Sequence, residues 1–440
     1  MDQILGPGQA VKTESSGMDC RVEKFIGGGG QGEVYRASLG GKPVALKWYF
    51  PASATEEQRK ALASLIRMGA PSNRFLWPLE LTSAAGVPGF GYVMALREAR
   101  YKGIVDMMKR RVEPSFRALS TAGFELSHHY QLLHSRGLCY RDISFGNAFF
   151  DPGTGEVLIC DNDNVAVDSG DRSGVLGTPR FMAPEVVRGD DLPSTQTDLF
   201  SLAVLLFYMF MMHHPLEGKK ELAIKCLDLP AMTKLYGTEP VFIFDPADRS
   251  NEPDPTYHRN ALDFWPIYPR FLRDLFTRAF TGGITDPQHG RVRESEWRSA
   301  MVRLRDSIIY CTYCQAENFY DAEALAAAGG VSGDCWSCRR QLRLPPRVRV
   351  GKRVVMLNHD TQLYPHHVDD DRLYDFAQPV AGIARHPTDP NVWGLRNLSS
   401  ERWVITSPDG TVKDVEPGRS LTLHVGTRIN FGKSEGEIRL

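Results

Sequence analysis

Residues 26–34 read IGGGGQGEV, four consecutive glycines and a fifth at Gly32. Inside a helix or strand each would cost ~0.5–1 kcal/mol in backbone entropy, so the run needs a reason. It joins strand-like segments (VYRASL follows at once, then PVALKWYF) and does not open a helix. That favours a hairpin over the dinucleotide and phosphate loops that lead into helices. Thirteen residues after Val34 the sequence VALK puts Lys47 on the next strand, where an ammonium can reach the phosphates of a nucleotide beneath the hairpin.

At 440 residues the chain has room for about two to four domains. A net charge of −1 gives no sign of a nucleic-acid or anionic-membrane partner. The start, MDQILGPGQA, lacks a leader pattern, and the most apolar run, Leu199–Met212, is shorter than the roughly 20 residues of a membrane-spanning helix. The reading is therefore cytoplasmic, with Leu199–Met212 as the buried helix of a large domain. Thr55 followed by Gln58 opens a helix through TEEQRKALASLIRM, and another runs from FRALSTAGFEL to a stop at Gly137.

After that second helix, YRDISFGN (Tyr140–Asn147) sets an arginine, an aspartate and an asparagine on one loop. Phosphoryl transfer to a hydroxyl asks for this set: a carboxylate to accept the hydroxyl proton and an amide oxygen for Mg²⁺. Fourteen residues past Asn147, CDND supplies Asp161 as a second metal ligand, and GTPRFMAPE and TDLFSLAVLLF follow.

In this order and spacing the motifs resemble the eukaryotic-like protein kinase family over roughly Val22–Tyr310. The resemblance implies an α+β, bilobal kinase fold, with a small lobe at about 20–97 and a large lobe at about 98–310. It implies that Ile26, Gly27, Gly29 and Gly32 close over ATP, that Val34 and Ala45 sandwich the adenine, and that Met94 guards the back of the pocket. Lys47 would hold the α/β-phosphates, Asp142 would be the catalytic base, and Asn147 and Asp161 would bind Mg²⁺ or Mn²⁺. Glu185 would pair with Arg291, and Asp198 would anchor the catalytic loop. For the acid that pairs with Lys47, Glu57 is the first choice and Glu56 the fallback.

Some positions depart from the family pattern. Asn162 and Asp163 stand where Phe-Gly usually follows the metal aspartate, Ser144 replaces a lysine, and Tyr140 replaces a histidine. Arg141 beside the base suggests control by a phosphate or acid on the activation segment, where Ser169 and Ser173 are candidate phosphorylation sites, and Thr178 is expected to shape the substrate-binding loop. Lysine, base, asparagine and metal aspartate all survive, so the leading reading is an active protein serine/threonine kinase. The alternative is a pseudokinase scaffold that binds nucleotide and assembles partners through its C-terminal third.

Cys311, Cys314, Cys335 and Cys338 form CxxC-x20-CxxC, which suits a closed tetrahedral site for structural Zn²⁺; the spacing alone does not exclude iron. Residues 311–346 are read as a zinc ribbon, and the other four cysteines as reduced thiols. From 347 to 440, alternating strands separated by Asp-Gly, Pro-Gly and Gly-Thr turns imply an all-β domain. Its GTRINFG ending resembles a forkhead-associated (FHA) sandwich, though no SxxH phosphothreonine motif can be placed, so docking and phosphopeptide reading both stand. His213-His214 and His366-His367 lack metal-spaced partners and are read as structural or exposed. The whole combination resembles bacterial kinases found with von Willebrand factor A (VWA) proteins and PP2C-type phosphatases in tellurite- and stress-associated systems. That resemblance implies a VWA-domain protein as substrate or partner.

Overall fold

The computed structural model describes residues 3–168, 176–389 and 392–440. It divides into two compact units, one of residues 1–265 and 274–299, the other of residues 266–273 and 300–440.

The first unit opens with strands β1 (Ala10–Thr13), β2 (Asp19–Gly28), β3 (Gly32–Leu39), β4 (Lys42–Tyr49), β5 (Glu80–Ser83) and β6 (Gly91–Ala95). They close into a barrel in the order β1-β2-β3-β4-β6-β5. β1 seals it by pairing with both β2 and β5, so the barrel includes residues ahead of residue 20. Val11, Cys20, Val22, Tyr35, Leu46 and Val93 fill one side of the barrel core. Helix α1 (Glu56–Met68) starts as the sequence suggests: the Thr55 side chain accepts the Gln58 amide, and Leu62 and Leu65 face inward.

Helices dominate the rest of this unit. Phe116–His134 is capped by Ser115, and its exit turns at Gly137, in the left-handed region with φ 71°. The apolar helix Thr195–Met211 is capped by Ser194 and buried at every position from Thr197 to Met211. Hydrophobic all round, it needs neighbours on every face. Phe200 and Phe207 meet the ring of Phe280, and Phe207 also meets Phe276. No helix among the described residues is long and apolar enough to cross a membrane.

The second unit holds the cysteine pairs and an all-β sandwich. The hairpin Ile308–Tyr310/Glu317–Phe319 carries the first pair at its turn. Residues 300–310 belong to this unit, so the expected boundary at 310 falls inside it. The sandwich has a six-stranded sheet, from Arg353–Met356 at one edge to Val412–Val415 at the other, and a four-stranded sheet of Gln362–Leu363, Ala381–Arg385, Trp393–Asn397 and Ser420–Thr422. Val348, Leu395, Trp403, Leu421, Ile429 and Ile438 are among the residues of its shared core.

Candidate active site

Lys47 lies on β4 with its side chain buried. The glycine run spans the end of β2, the β2–β3 turn and the first residue of the neighbouring β3. At Gly27, Gly29 and Gly30 an added Cβ would meet nothing within 4 Å, so the hairpin tip has open space beside its backbone. Gly32 is different: a Cβ there would fall 2.2 Å from the Trp48 carbonyl oxygen. That glycine is required by β3–β4 packing, a reason separate from the expected closure over phosphates.

Val34, Ala45 and Met94 share one apolar cluster, with Ala45 paired directly to Met94 across β4–β6. Leu96, just past β6, and Phe149 and Cys160, near the loop Tyr140–Asn147, pack against it. Phe149, two residues after Asn147, escaped the sequence reading because an apolar residue in a short strand looks like any core residue. Ile26 stands exposed at the start of the hairpin.

Asp142 is engaged at both carboxylate oxygens. The Asn147 side-chain amide donates to Oδ2 at 2.9 Å and to the Asp142 carbonyl at 2.9 Å, and the Thr178 hydroxyl donates to Oδ1 at 2.7 Å. Asn147 is tied to the next strand through the Cys160 amide, which donates to its carbonyl at 2.8 Å. Asp161 follows in a left-handed conformation, φ 50°, which places one carboxylate oxygen 3.5 Å from the Lys47 ammonium. Lys47, Asp142, Asn147 and Asp161 are thus joined in one constellation by the Asn147–Asp142 hydrogen bonds, the 147–160 backbone bond and the Asp161–Lys47 contact.

The loop Tyr140–Asn147 is anchored from beneath. Asp198, on the buried helix, accepts the backbone amides of Tyr140 and Arg141, and Arg141 sits at φ 72°. A non-glycine residue held there stores strain, which two amide–carboxylate bonds sustain. Arg291 donates to Glu185 and lies against the ring of Phe200, fixing the start of the short helix Pro184–Arg188. Ser169 and Ser173 lie outside the described residues. Ser144 is buried and leaves this position without a cation.

The acid that meets Lys47 differs from the sequence expectation. Glu56 and Glu57 point to solvent in the first turn of α1, while Gln58 turns inward. Lys47 Nζ instead contacts both oxygens of Asp163, at 2.8 and 3.0 Å, and the Tyr49 hydroxyl donates to the same carboxylate. Burial by itself would lower the Lys47 pKa; the Asp163 and Asp161 charges outweigh it and hold the ammonium above its usual value. Burial by itself would raise the Asp163 pKa, but the Lys47 ammonium and the Tyr49 hydroxyl outweigh it and hold this carboxylate below its ordinary range.

The protein kinase domain family model matches residues 20–265, more than half of the chain. The chain belongs to this family. It is 31% identical over 212 residues to the DNA damage-responsive serine/threonine-protein kinase RqkA of Deinococcus radiodurans, covering 46% of this chain and 31% of that protein. It is 31% identical over 115 residues to the probable serine/threonine-protein kinase CCRP1 of Zea mays, covering 26% of this chain and 18% of the other. Over 123 residues it is 30% identical to the cell cycle serine/threonine-protein kinase CDC5/MSD2 of Saccharomyces cerevisiae, covering 26% and 17%. The chain therefore spans less than a third of the length of these relatives.

In the second unit, the four cysteine sulfurs converge. Cys311 Sγ lies 3.6 Å from Cys338 Sγ, and Cys314 Sγ lies 3.7 Å from Cys335 Sγ. Sulfurs about 2.3 Å from a tetrahedral Zn²⁺ are about 3.8 Å apart along each edge, so the cluster is compatible with that ion. Asn318 donates to Cys335 Sγ at 3.5 Å, the kind of outer contact that orients a thiolate ligand. All four positions carry cysteine, which leaves no open coordination site.

Proposed function

We propose that this chain is an ATP-dependent protein serine/threonine kinase. The constellation of Lys47, Asp142, Asn147 and Asp161 beside an open glycine hairpin carries the reading, and the family membership supports it. Ile26, Val34, Ala45, Met94 and Phe149 form the adenine-binding side, with Gly27 and Gly29 leaving room for the triphosphate. Asn147 and Asp161 are the ligands for Mg²⁺ or Mn²⁺, which supplies charge neutralisation on the phosphates. Lys47 orients the α/β-phosphates. Asp142 positions the substrate hydroxyl and takes its proton as the new O–P bond forms and the bond from the γ-phosphorus to ADP breaks. The Thr178 bond to Asp142 ties the peptide-facing loop to the base, which favours a protein hydroxyl over a small molecule.

The four cysteines hold structural Zn²⁺ in a ribbon spanning about 311–346, and the 347–440 sandwich is an FHA-like docking surface. The setting we propose is a cytoplasmic signalling or stress-response system with a VWA-domain protein as substrate or partner and a PP2C-type phosphatase beside it, a reading supported by the resemblance to bacterial kinases alone. Incubation with γ-labelled Mg-ATP followed by phosphoamino-acid analysis tests the central reading. Label on serine or threonine supports it; a chain that binds nucleotide but never becomes labelled is a scaffold.

A further inference from the structure

The acid on Lys47 sits on the wrong element for the usual arrangement, and its surroundings explain how that works. In kinases this lysine is held by a glutamate from the helix that follows it. Here, among the described residues, the carboxylates within ion-pair distance of Lys47 are Asp163 and Asp161, both on the metal loop. Both first-turn glutamates of α1 are exposed, and the α1 residue that faces the cluster is neutral. Gln58 Nε2 donates to the Tyr49 hydroxyl at 3.2 Å and to the Asp163 carbonyl at 3.4 Å.

We propose that Asp163 has replaced the helix glutamate as the residue that positions Lys47, and that Gln58 marks the place on α1 from which the carboxylate was lost. This rests on the kinase reading above.

Three features make the substitution workable. The Asp163 side chain is fully buried, and the Tyr49 hydroxyl holds one of its oxygens while Lys47 takes both. The turn Asn162–Asn164 that carries it is pinned by Asn162, whose amide donates to the carbonyls of Leu76 and Ile159 at 2.9 Å each. Finally, the neutral Gln58 keeps α1 attached to the cluster without adding a third acid beside Asp161 and Asp163. A glutamate on a helix can leave its lysine when the helix swings. An aspartate two residues after the metal acid sits on a turn that the Asn162 amide ties to Leu76 and Ile159. The carboxylate that holds Lys47 thereby comes from the metal loop, while α1 reaches the same cluster through the neutral Gln58.

The test compares wild type, Glu57→Gln, Asp163→Asn and Gln58→Glu/Asp163→Asn. Each is measured by calorimetric titration with a non-hydrolysable Mg-ATP analogue, by self-phosphorylation rate against ATP concentration, and by circular dichroism. Glu57→Gln should stay within about twofold of wild type in every measurement. Asp163→Asn should weaken analogue binding and lower the maximal rate divided by apparent KM by about tenfold or more, as expected for a buried charge-assisted bond. The double variant, with a carboxylate returned to the helix, should recover most of that loss while remaining folded.

A loss in Glu57→Gln equal to that in Asp163→Asn, an Asp163→Asn protein that behaves as wild type, or a double variant no better than the single one would each overturn the proposal. Should Asp163→Asn fail to fold, refolding in the double variant supports the proposal and an unfolded double variant overturns it. A wild type that transfers no phosphate removes the kinase reading alone, because the analogue titrations still decide the role of Asp163.

Discussion

His134, at the end of the helix Phe116–His134, is wedged between two acids. One nitrogen lies 3.1 Å from Asp198 and the other bonds Glu294. Since Asp198 also holds the amides of Tyr140 and Arg141, the charge on His134 bears on the catalytic loop. Burial alone would depress its pKa, but hydrogen bonds and charge from the two carboxylates outweigh this and raise it from 6.5 to about 9. A folded value above the unfolded one means that the native state binds the extra proton. The stabilisation is complete below about pH 6.5 and is lost as pH climbs through about 9. At ~1.4 kcal/mol per tenfold change in proton affinity, it is on the order of 3 kcal/mol. His134→Gln removes the charge while keeping a polar side chain. Urea unfolding of both proteins from about pH 6 to about pH 9.5 should show their stability difference shrinking by up to ~1.4 kcal/mol per pH unit. Taking the difference cancels groups that titrate alike in both. A difference that stays constant across the range would refute the reasoning.

The two kinds of glycine in the hairpin should respond differently. Gly32→Ala, driven against the Trp48 carbonyl, is expected to cost ~1–3 kcal/mol in urea unfolding. Gly29→Ala, facing open space, should leave stability within about 0.5 kcal/mol yet weaken binding of an ATP analogue measured by calorimetry. Elemental analysis of purified protein should find about one zinc per chain. Cys335→Ser should lose that zinc together with cooperative melting of the second unit.

The loop Tyr140–Asn147, the lysine strand and the long apolar helix were legible because each rests on chemistry or on a pattern sustained over many residues. The facing of α1 was not. A capping threonine says where a helix starts, but it does not say which of Glu56, Glu57 and Gln58 will turn inward, and packing turned Gln58. Asp163 read as a departure from a motif because its pairing with Lys47 spans 116 positions and leaves no local mark. Strand β1 went unseen because the four residues AVKT are too few for alternation to register. The β-rich character of 347–440 was plain from period-two runs and turn residues, whereas the order of strands within its two sheets depends on pairings distant in sequence.

The most direct measurement is single-turnover phosphate transfer from Mg-ATP by wild type beside Asp142→Asn, with nucleotide-induced thermal stabilisation recorded on the same samples. The expected result is transfer by the wild type, none by the variant, and similar stabilisation of both. Transfer by Asp142→Asn at the wild-type rate would contradict the assignment of the base and the chemistry built on it.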